Sequence, residues 1–159
     1  MNSPATAVDF GERTLPYGVF RAKGLPPRVG VAVRDLVLDL HHLLDSEDEF
    51  AKPSLNAFMA RGRTRWHKVR AAVQARVTEG VAQGQAGVHR AADVEMLLPV
   101  EVADFVDFFS GIEHATNAAH ILRPADAEPL KPNYRTLPVG YHGRAGTVVP
   151  SGVPVTRPR

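Results

Sequence analysis

Large apolar side chains recur at every second position over residues 29–33 and again over residues 36–40, and this alternation limits the fold more than any other feature of the sequence. Three valines lead up to the pair Arg34–Asp35 and three leucines follow it: Val29, Val31, Val33, Leu36, Leu38 and Leu40. A period of two residues is typical of a β-strand with one buried face. The pair in the middle suits a tight turn, so the sequence predicts a β-hairpin here.

Two helical segments are predicted after the hairpin. We expect Ser54 to cap a short helix that runs to Arg61, and Thr64 to cap a second helix that runs to about Thr78. Apolar residues recur in the second segment at helical spacing: Trp66, Val69, Val73 and Val77. Both helices are therefore predicted to cover the hairpin sheet.

A domain boundary is expected close to Pro99. The stretch 79–87 contains three glycines and is predicted to be a flexible loop, and the apolar run Met96–Val100 is broken by Pro99. We therefore predict an N-terminal β-rich domain over residues 1–98 and the beginning of a second domain over residues 99–159.

Composition excludes several classes of protein. The 159 residues include 19 Lys and Arg against 17 Asp and Glu, and the charge is too balanced for a basic nucleic-acid binder. Cysteine is absent, which is compatible with a reducing compartment. No signal peptide and no apolar run of about 18 residues is recognisable. We expect a cytoplasmic protein with no membrane segment and no nucleic-acid partner.

Two polar clusters are interpreted as solvated surface. His41 and His42 are adjacent, and adjacent side chains on a strand point to opposite faces, so they do not form a metal site. The arginines and lysine between Arg61 and Arg76 lack the interleaved aromatic residues of a nucleic-acid surface.

The stretch Asp104–Arg123 concentrates residues suited to catalysis. Its aromatic run favours a strand that holds Asp107, and Ser110 is expected to cap a helix that carries His114 back toward the strand end. A carboxylate suits a hard divalent cation, and an imidazole suits proton transfer near neutral pH. Arg123 precedes Pro124, so we expect it in extended backbone past the helix, free to swing toward the same cleft and bind a carboxylate.

The segment Gly140–Arg144 is a second candidate for ligand contact. Two glycines flank a polar aromatic pair, so the backbone can turn sharply, and Tyr141 can offer its hydroxyl to a substrate. A core tyrosine with a satisfied hydroxyl is the alternative. Further on, residues 147–149 and 153–155 are predicted to be paired strands or the start of a larger sheet.

Five segments of the chain resemble the fumarylacetoacetase family in order. They are LPYGVF at 15–20, PRVGVAVRDLVLDL at 27–40, LNAFMARGRTRWHKVR at 55–70, DFVDFFSGIEHATNAAHILR at 104–123 and LPVGYHGRAGTVVPSGVPVTRP at 137–158. The resemblance implies a β-rich α+β protein. It would have an SH3-like β-barrel with short covering helices, followed by the first strands and helix of a mixed β-roll catalytic domain.

The resemblance also implies roles for individual residues. Asp107 matches a calcium ligand, His114 the general base, and Arg123 and Tyr141 substrate contacts. Phe109 stands where many relatives have a substrate-touching tyrosine, which removes one hydroxyl. The implied reaction is hydrolytic cleavage of a carbon–carbon bond in a small diketo acid, fumarylacetoacetate, to fumarate and acetoacetate, in an enzyme that holds Ca²⁺ and Mg²⁺.

Two hypotheses follow for the chain as a whole. In the first it is the leading part of such a hydrolase, a homodimer when complete. The remaining metal carboxylates and the glutamate that orients the base are expected beyond residue 159, so the chain alone is expected to be inactive. In the second it is a stand-alone β-barrel module for dimerisation or partner binding.

Overall fold

The computed structural model describes residues 10–44, 48–125, 127–143 and 145–157. They form two compact units: one runs up to Glu101 and includes the stretch from Val149 onward, and the other comprises Val102–Val148. The predicted boundary after residue 98 stays a prediction.

A five-stranded antiparallel sheet organises the first unit. Its strands are β1 (Tyr17–Ala22), β2 (Arg28–Val33), β3 (Leu36–Asp39), β4 (Val88–Arg90) and β5 (Val94–Leu97), arranged in the order β4-β3-β2-β1-β5. The predicted hairpin is confirmed, because Val33 pairs with Leu36 across a two-residue turn. Arg34 in that turn has φ of 52°, and a positive φ at the first central residue is typical of the favoured two-residue hairpin turns.

The link between β4 and β5 shows that this sheet is curled. The two strands lie at opposite edges, yet only the 3-10 turn Ala91–Asp93 joins them. In a flat sheet the outer strands would be roughly 19 Å apart. Four residue steps from Arg90 to Val94 reach at most about 14 Å. The edges must therefore approach each other, which gives the sheet the form of a half-barrel.

The core lies on both faces of the hairpin, so the prediction of one buried face was wrong. The main cluster joins alternate strand residues to the long helix over Gly62–Glu79 and includes Val19, Val29, Val31, Leu38, Val69, Val73 and Val77. A smaller cluster on the other face contains Phe20, Ala22 and Val37. All four residues of β3 are consequently buried, because β3 is an inner strand of a curled sheet.

Three helices belong to this unit: α1 (Leu40–Leu43), α2 (Asn56–Met59) and α3 (Gly62–Glu79). The predicted cover by α3 is confirmed, with its valines buried. Its predicted start was wrong, because α3 begins two residues before Thr64. The predicted cap of α2 was also wrong by one residue, because Leu55 occupies the capping position. Ser54 precedes it, and the Ser54 hydroxyl accepts the Asn56 amide at 3.1 Å.

The histidine pair lies on a helix and not on a strand. Asp39 ends β3 and caps α1, accepting the amides of His41 at 3.0 Å and His42 at 3.3 Å. The same carboxylate accepts a hydrogen bond from Arg28 at 2.9 Å while only 2% exposed. The chain leaves the sheet just after Asp39, where this charged residue caps α1. The strand therefore ends one residue before Leu40, the last residue of the alternating pattern.

The second unit is small and has little regular structure. Strands β6 (Val106–Asp107) and β7 (Tyr141–His142) pair antiparallel, α4 spans Ile112–Leu122, and 3-10 turns lie at Pro132–Arg135 and Ala145–Thr147. Ser110 does not cap α4; Gly111 is the capping residue and has no side chain to do so.

The paired strands predicted beyond residue 146 are absent from the described stretch 148–157. Pro150 and Pro154 have no amide to donate to a ladder, and the Val153 amide turns back to the Pro150 carbonyl. Of the helices that the structure describes, none combines the length and apolar character needed to cross a bilayer.

Candidate functional site

Asp107 lies at the end of β6, as predicted, and both of its carboxylate oxygens accept hydrogen bonds. Oδ1 accepts the backbone amide of Phe109 at 2.6 Å, and Oδ2 accepts the Tyr141 hydroxyl at 3.0 Å. Tyr141 is the direct partner of Asp107 in the β6–β7 register. The strand pairing therefore brings together two side chains that are far apart in sequence.

The contact with Asp107 affects the ionisation of Tyr141. The hydrogen bond to the carboxylate is the largest cause that raises the pKa of the Tyr141 phenol above its ordinary 10.0, and partial desolvation and the carboxylate charge act in the same direction. A phenol is protonated at neutral pH even at the ordinary pKa of 10.0, so Tyr141 acts there as a hydrogen-bond donor.

Phe109 links this pair to His114. Its ring meets the His114 ring edge-on at 5.1 Å between centroids and the Tyr141 ring at 6.1 Å. Its backbone has φ of 49°, which is uncommon for a bulky residue. Its carbonyl accepts the Tyr134 hydroxyl at 2.8 Å. Four of the residues singled out in the sequence, Asp107, Phe109, His114 and Tyr141, thus form one continuous chain of contacts.

His114 projects from the first turn of α4 and is exposed to solvent. His120, six residues later, lies in the last turn of the same helix. An exposed imidazole with an aromatic ring on one side can reach both a ligand and water. This position suits proton transfer.

Arg123 is only partly where the sequence placed it. Its extended backbone past the end of α4 is confirmed, with φ of −118° and ψ of 161°. Its side chain is not free to swing, because Nη1 donates to the carbonyls of Glu128 at 3.3 Å and Pro129 at 2.7 Å. Arg123 shares with Phe109 the wall of a cavity of about 400 Å³ between α4 and the following loop. Asp107, His114 and Tyr141 do not line that cavity.

Two elements of the site were missed in the sequence. Tyr134 lies in a segment with several prolines, and no local pattern in that segment shows that its hydroxyl would reach Phe109. Asp104 and His142 form an exposed pair, with Oδ2 and Nδ1 2.7 Å apart. The cross-strand pairing of Val106 with His142 is the reason. Arg144 of the YHGR motif lies outside the described residues.

The residues present do not make a complete calcium or magnesium site. Calcium takes about six to eight oxygen ligands, and magnesium a near-octahedral set. Within the described ranges no group of three or more His, Asp or Glu side chains converges on one point. Asp107 offers one carboxylate, and each of its oxygens already accepts a hydrogen bond.

Another cavity, of about 520 Å³, lies in the first unit between α2 and α3, with Tyr17 and Trp66 in its wall. It contains none of the residues that the sequence singled out for chemistry.

The family model and the relatives that match this chain carry the same name. The family model described as "Fumarylacetoacetase N-terminal" matches residues 13–99, more than half of the chain. Proteins named fumarylacetoacetase are 42% identical in Bos taurus, 40% in Homo sapiens and 39% in Caenorhabditis elegans, each alignment covering 94% of this chain. The chain spans 40% of the length of these curated relatives.

Proposed function

Because the chain belongs to the fumarylacetoacetase family, we propose that it supplies the N-terminal part of a hydrolase that cleaves a carbon–carbon bond in a small diketo acid. The observation that carries this proposal is the chain of contacts from Asp107 through Tyr141 and Phe109 to His114. These are the residues that resemble the family's functional positions. The names of the relatives favour this hypothesis over a non-catalytic barrel module.

The proposed reaction is the hydrolysis of fumarylacetoacetate. His114 takes a proton from water as the oxygen adds to a carbonyl carbon. The adjacent carbon–carbon bond then breaks, its electron pair leaves with the acetoacetate portion, and a proton is returned to that carbon. Fumarate and acetoacetate are the products, and water is the only co-reactant.

The other residues are proposed to bind and orient the substrate. The protonated Tyr141 hydroxyl can donate to a substrate oxygen that competes with Asp107 for it. Phe109 supplies an apolar surface in place of a second hydroxyl. Arg123 is proposed to contact a substrate carboxylate, for which its present bonds to two loop carbonyls must exchange.

Asp107 is proposed to contribute one ligand to a Ca²⁺ site, with Mg²⁺ held elsewhere, and the other ligands must come from outside the described residues. An SH3-like barrel for the curled sheet, a homodimeric assembly and a cytoplasmic location are proposed on the family resemblance. The 3-10 link between β4 and β5 supports the barrel.

A hybrid enzyme tests the proposal. This chain would replace the matching 40% of the Bos taurus relative, and cleavage of fumarylacetoacetate would be followed by absorbance. We expect the hybrid to be active and His114→Ala to lower turnover by about 10²–10⁴-fold, as expected for a missing general base. His120→Ala, on the same helix, is the matched control and should retain turnover. An active hybrid in which His114→Ala also retains turnover would exclude His114 as the base.

A further inference from the structure

The backbone of Phe109 is in a conformation that the residue does not favour by itself. With φ of 49° it lies in the left-handed region, where the Cβ atom of a bulky residue crowds its own backbone. Residues in such conformations persist only where the surroundings fix them. The contacts that fix Phe109 therefore decide where its ring lies.

Two hydrogen bonds bracket this residue. Its amide donates to Asp107 Oδ1 at 2.6 Å, which is a local bond two residues back. Its carbonyl accepts the hydroxyl of Tyr134 at 2.8 Å, which is a bond from a distant part of the chain. The first bond restrains the amide side of Phe109, and the second restrains its carbonyl side.

Tyr134 is itself well anchored. It lies half-buried in the 3-10 turn Pro132–Arg135. The turn begins with a proline, which has a fixed φ. The Tyr134 amide donates to Lys131 at 2.9 Å, and Leu137 closes the turn by donating to Asn133 at 2.9 Å. The hydroxyl is thus presented from a hydrogen-bonded turn.

We propose that Tyr134 is a positioning residue for the candidate site: its hydroxyl holds Phe109 in the left-handed conformation that puts the Phe109 ring against His114 and Tyr141. The catalytic consequence rests on the proposed function, but the positioning itself does not. Without the hydroxyl, Phe109 relaxes toward ordinary backbone angles and its ring moves away from the imidazole.

The resonances of the His114 ring protons test this inference in the 159-residue chain without any activity. The spectra are recorded at about pH 8, where an ordinary imidazole is neutral. His114→Gln identifies the signal among the seven histidines. Phe109→Leu gives the chemical shift of the His114 ring protons in the absence of the Phe109 ring. We expect Tyr134→Phe, which keeps the ring and removes only the hydroxyl, to move the signal at least halfway to the Phe109→Leu position.

Tyr141→Phe is the matched control. It removes the other hydroxyl of the site while leaving the bond from Tyr134 to Phe109 intact, so it should shift the His114 signal less than Tyr134→Phe does. A Tyr134→Phe chain whose α4 amides remain protected and whose His114 signal stays at the parent position would overturn the proposal.

If Tyr134→Phe disorders the second unit, the proposal is tested by comparing Tyr134→Phe alone with Tyr134→Phe combined with Phe109→Gly. Glycine adopts the left-handed conformation without crowding, so Phe109→Gly removes the need for the hydroxyl. We expect α4 amide protection to return when Tyr134→Phe is combined with Phe109→Gly. If protection stays lost, Tyr134 acts through general packing and the proposal is wrong. Either result is independent of whether the hybrid enzyme cleaves fumarylacetoacetate.

Discussion

Asp107 and Tyr141 are joined twice, as direct partners in the β6–β7 register and through a 3.0 Å hydrogen bond from the Tyr141 hydroxyl to Asp107 Oδ2. The site therefore depends on a two-residue strand pair, which has few backbone hydrogen bonds of its own. The side-chain bond helps to fix a register that such short strands specify weakly.

The ionisation of Tyr141 provides a test of this bond. Because the hydrogen bond to Asp107 is the main cause of the raised pKa, Asp107→Asn should lower the pKa of Tyr141 toward its ordinary value. The raised pKa favours the protonated phenol in the folded chain, so its stabilising effect is present below about pH 10 and is lost as pH rises through the raised value. Tyrosinate absorbance measures the titration, and Tyr141→Phe identifies its signal. An unchanged titration in Asp107→Asn would contradict the bond.

Tyr17 gives a second prediction that depends on pH. Burial raises the pKa of its phenol, and the nearby Arg70 partly offsets the increase. The buried hydroxyl has no hydrogen-bond partner among the described residues. Tyr17→Phe should therefore leave the free energy of unfolding unchanged or raise it by up to about 1 kcal/mol at neutral pH.

As pH rises above about 10, unfolded Tyr17 ionises before folded Tyr17, and the parent chain loses stability that Tyr17→Phe retains. Urea unfolding at both pH values, followed by the fluorescence of the single tryptophan, measures the difference. A large loss of stability in Tyr17→Phe at neutral pH would show that the hydroxyl has a partner.

Asp39 should be the most sensitive charged residue of the first unit. Removing its carboxylate deprives α1 of its cap and leaves Arg28 without its ion pair. We expect Asp39→Ala to lower the free energy of unfolding by about 3 kcal/mol, because it removes the cap of α1 and leaves the partly buried Arg28 charge without its partner. Glu95→Ala removes the exposed pair with Arg21 and should cost less than about 1 kcal/mol. Urea unfolding measures both variants. Equal losses of unfolding free energy in Asp39→Ala and Glu95→Ala would show that burial does not determine how much these two ion pairs contribute to stability.

Val73 tests the packing of α3 on the sheet. Its side chain is fully buried in the main core cluster, so Val73→Ala should cost about 2–3 kcal/mol from lost burial and the resulting cavity. Lys68→Ala changes an exposed position of the same helix and should stay within about 0.5 kcal/mol. Thermal or urea unfolding compares the two, and a small effect of Val73→Ala would mean that α3 packs loosely.

Calcium binding by the 159-residue chain is predicted to be weak or absent, and the chain alone is predicted to be catalytically silent. One carboxylate leaves most of the about six to eight calcium ligands to water. Calorimetry should show no saturable heat up to about millimolar calcium or magnesium. Tight binding that Asp107→Asn abolishes would reveal a site that the described residues do not show.

Local patterns were sufficient for the hairpin and for α3. The period of two on either side of Arg34–Asp35 depends on neighbouring residues alone, and the valines of α3 recur at a helical period on one face. The helix starts were missed because neither Ser54 nor Thr64 occupies a capping position, although both are residue types that often do.

The site was only partly predictable. The family-like motifs singled out Asp107 and His114, and the strand end and helix around them were approximately right. The bond from Tyr134 to Phe109 connects residues whose proximity depends on how the loop after α4 folds. The prediction that the Arg123 side chain is free to swing was wrong. Its hydrogen-bond partners are backbone carbonyls of the loop after α4, which the residue types in a sequence do not reveal.

The position of β1 in the sheet has a consequence for how the chain folds. Val19 pairs with the nearby Val29 on one side and with the distant Leu97 on the other. Contacts between distant residues form slowly, because a long loop must close first. The β1–β2–β3 meander is thus expected to form early, with one edge of β1 bare until β5 arrives. During synthesis that edge stays open to pairing with other chains until the ribosome has released residue 97, so aggregation during translation should depend on how fast β5 emerges.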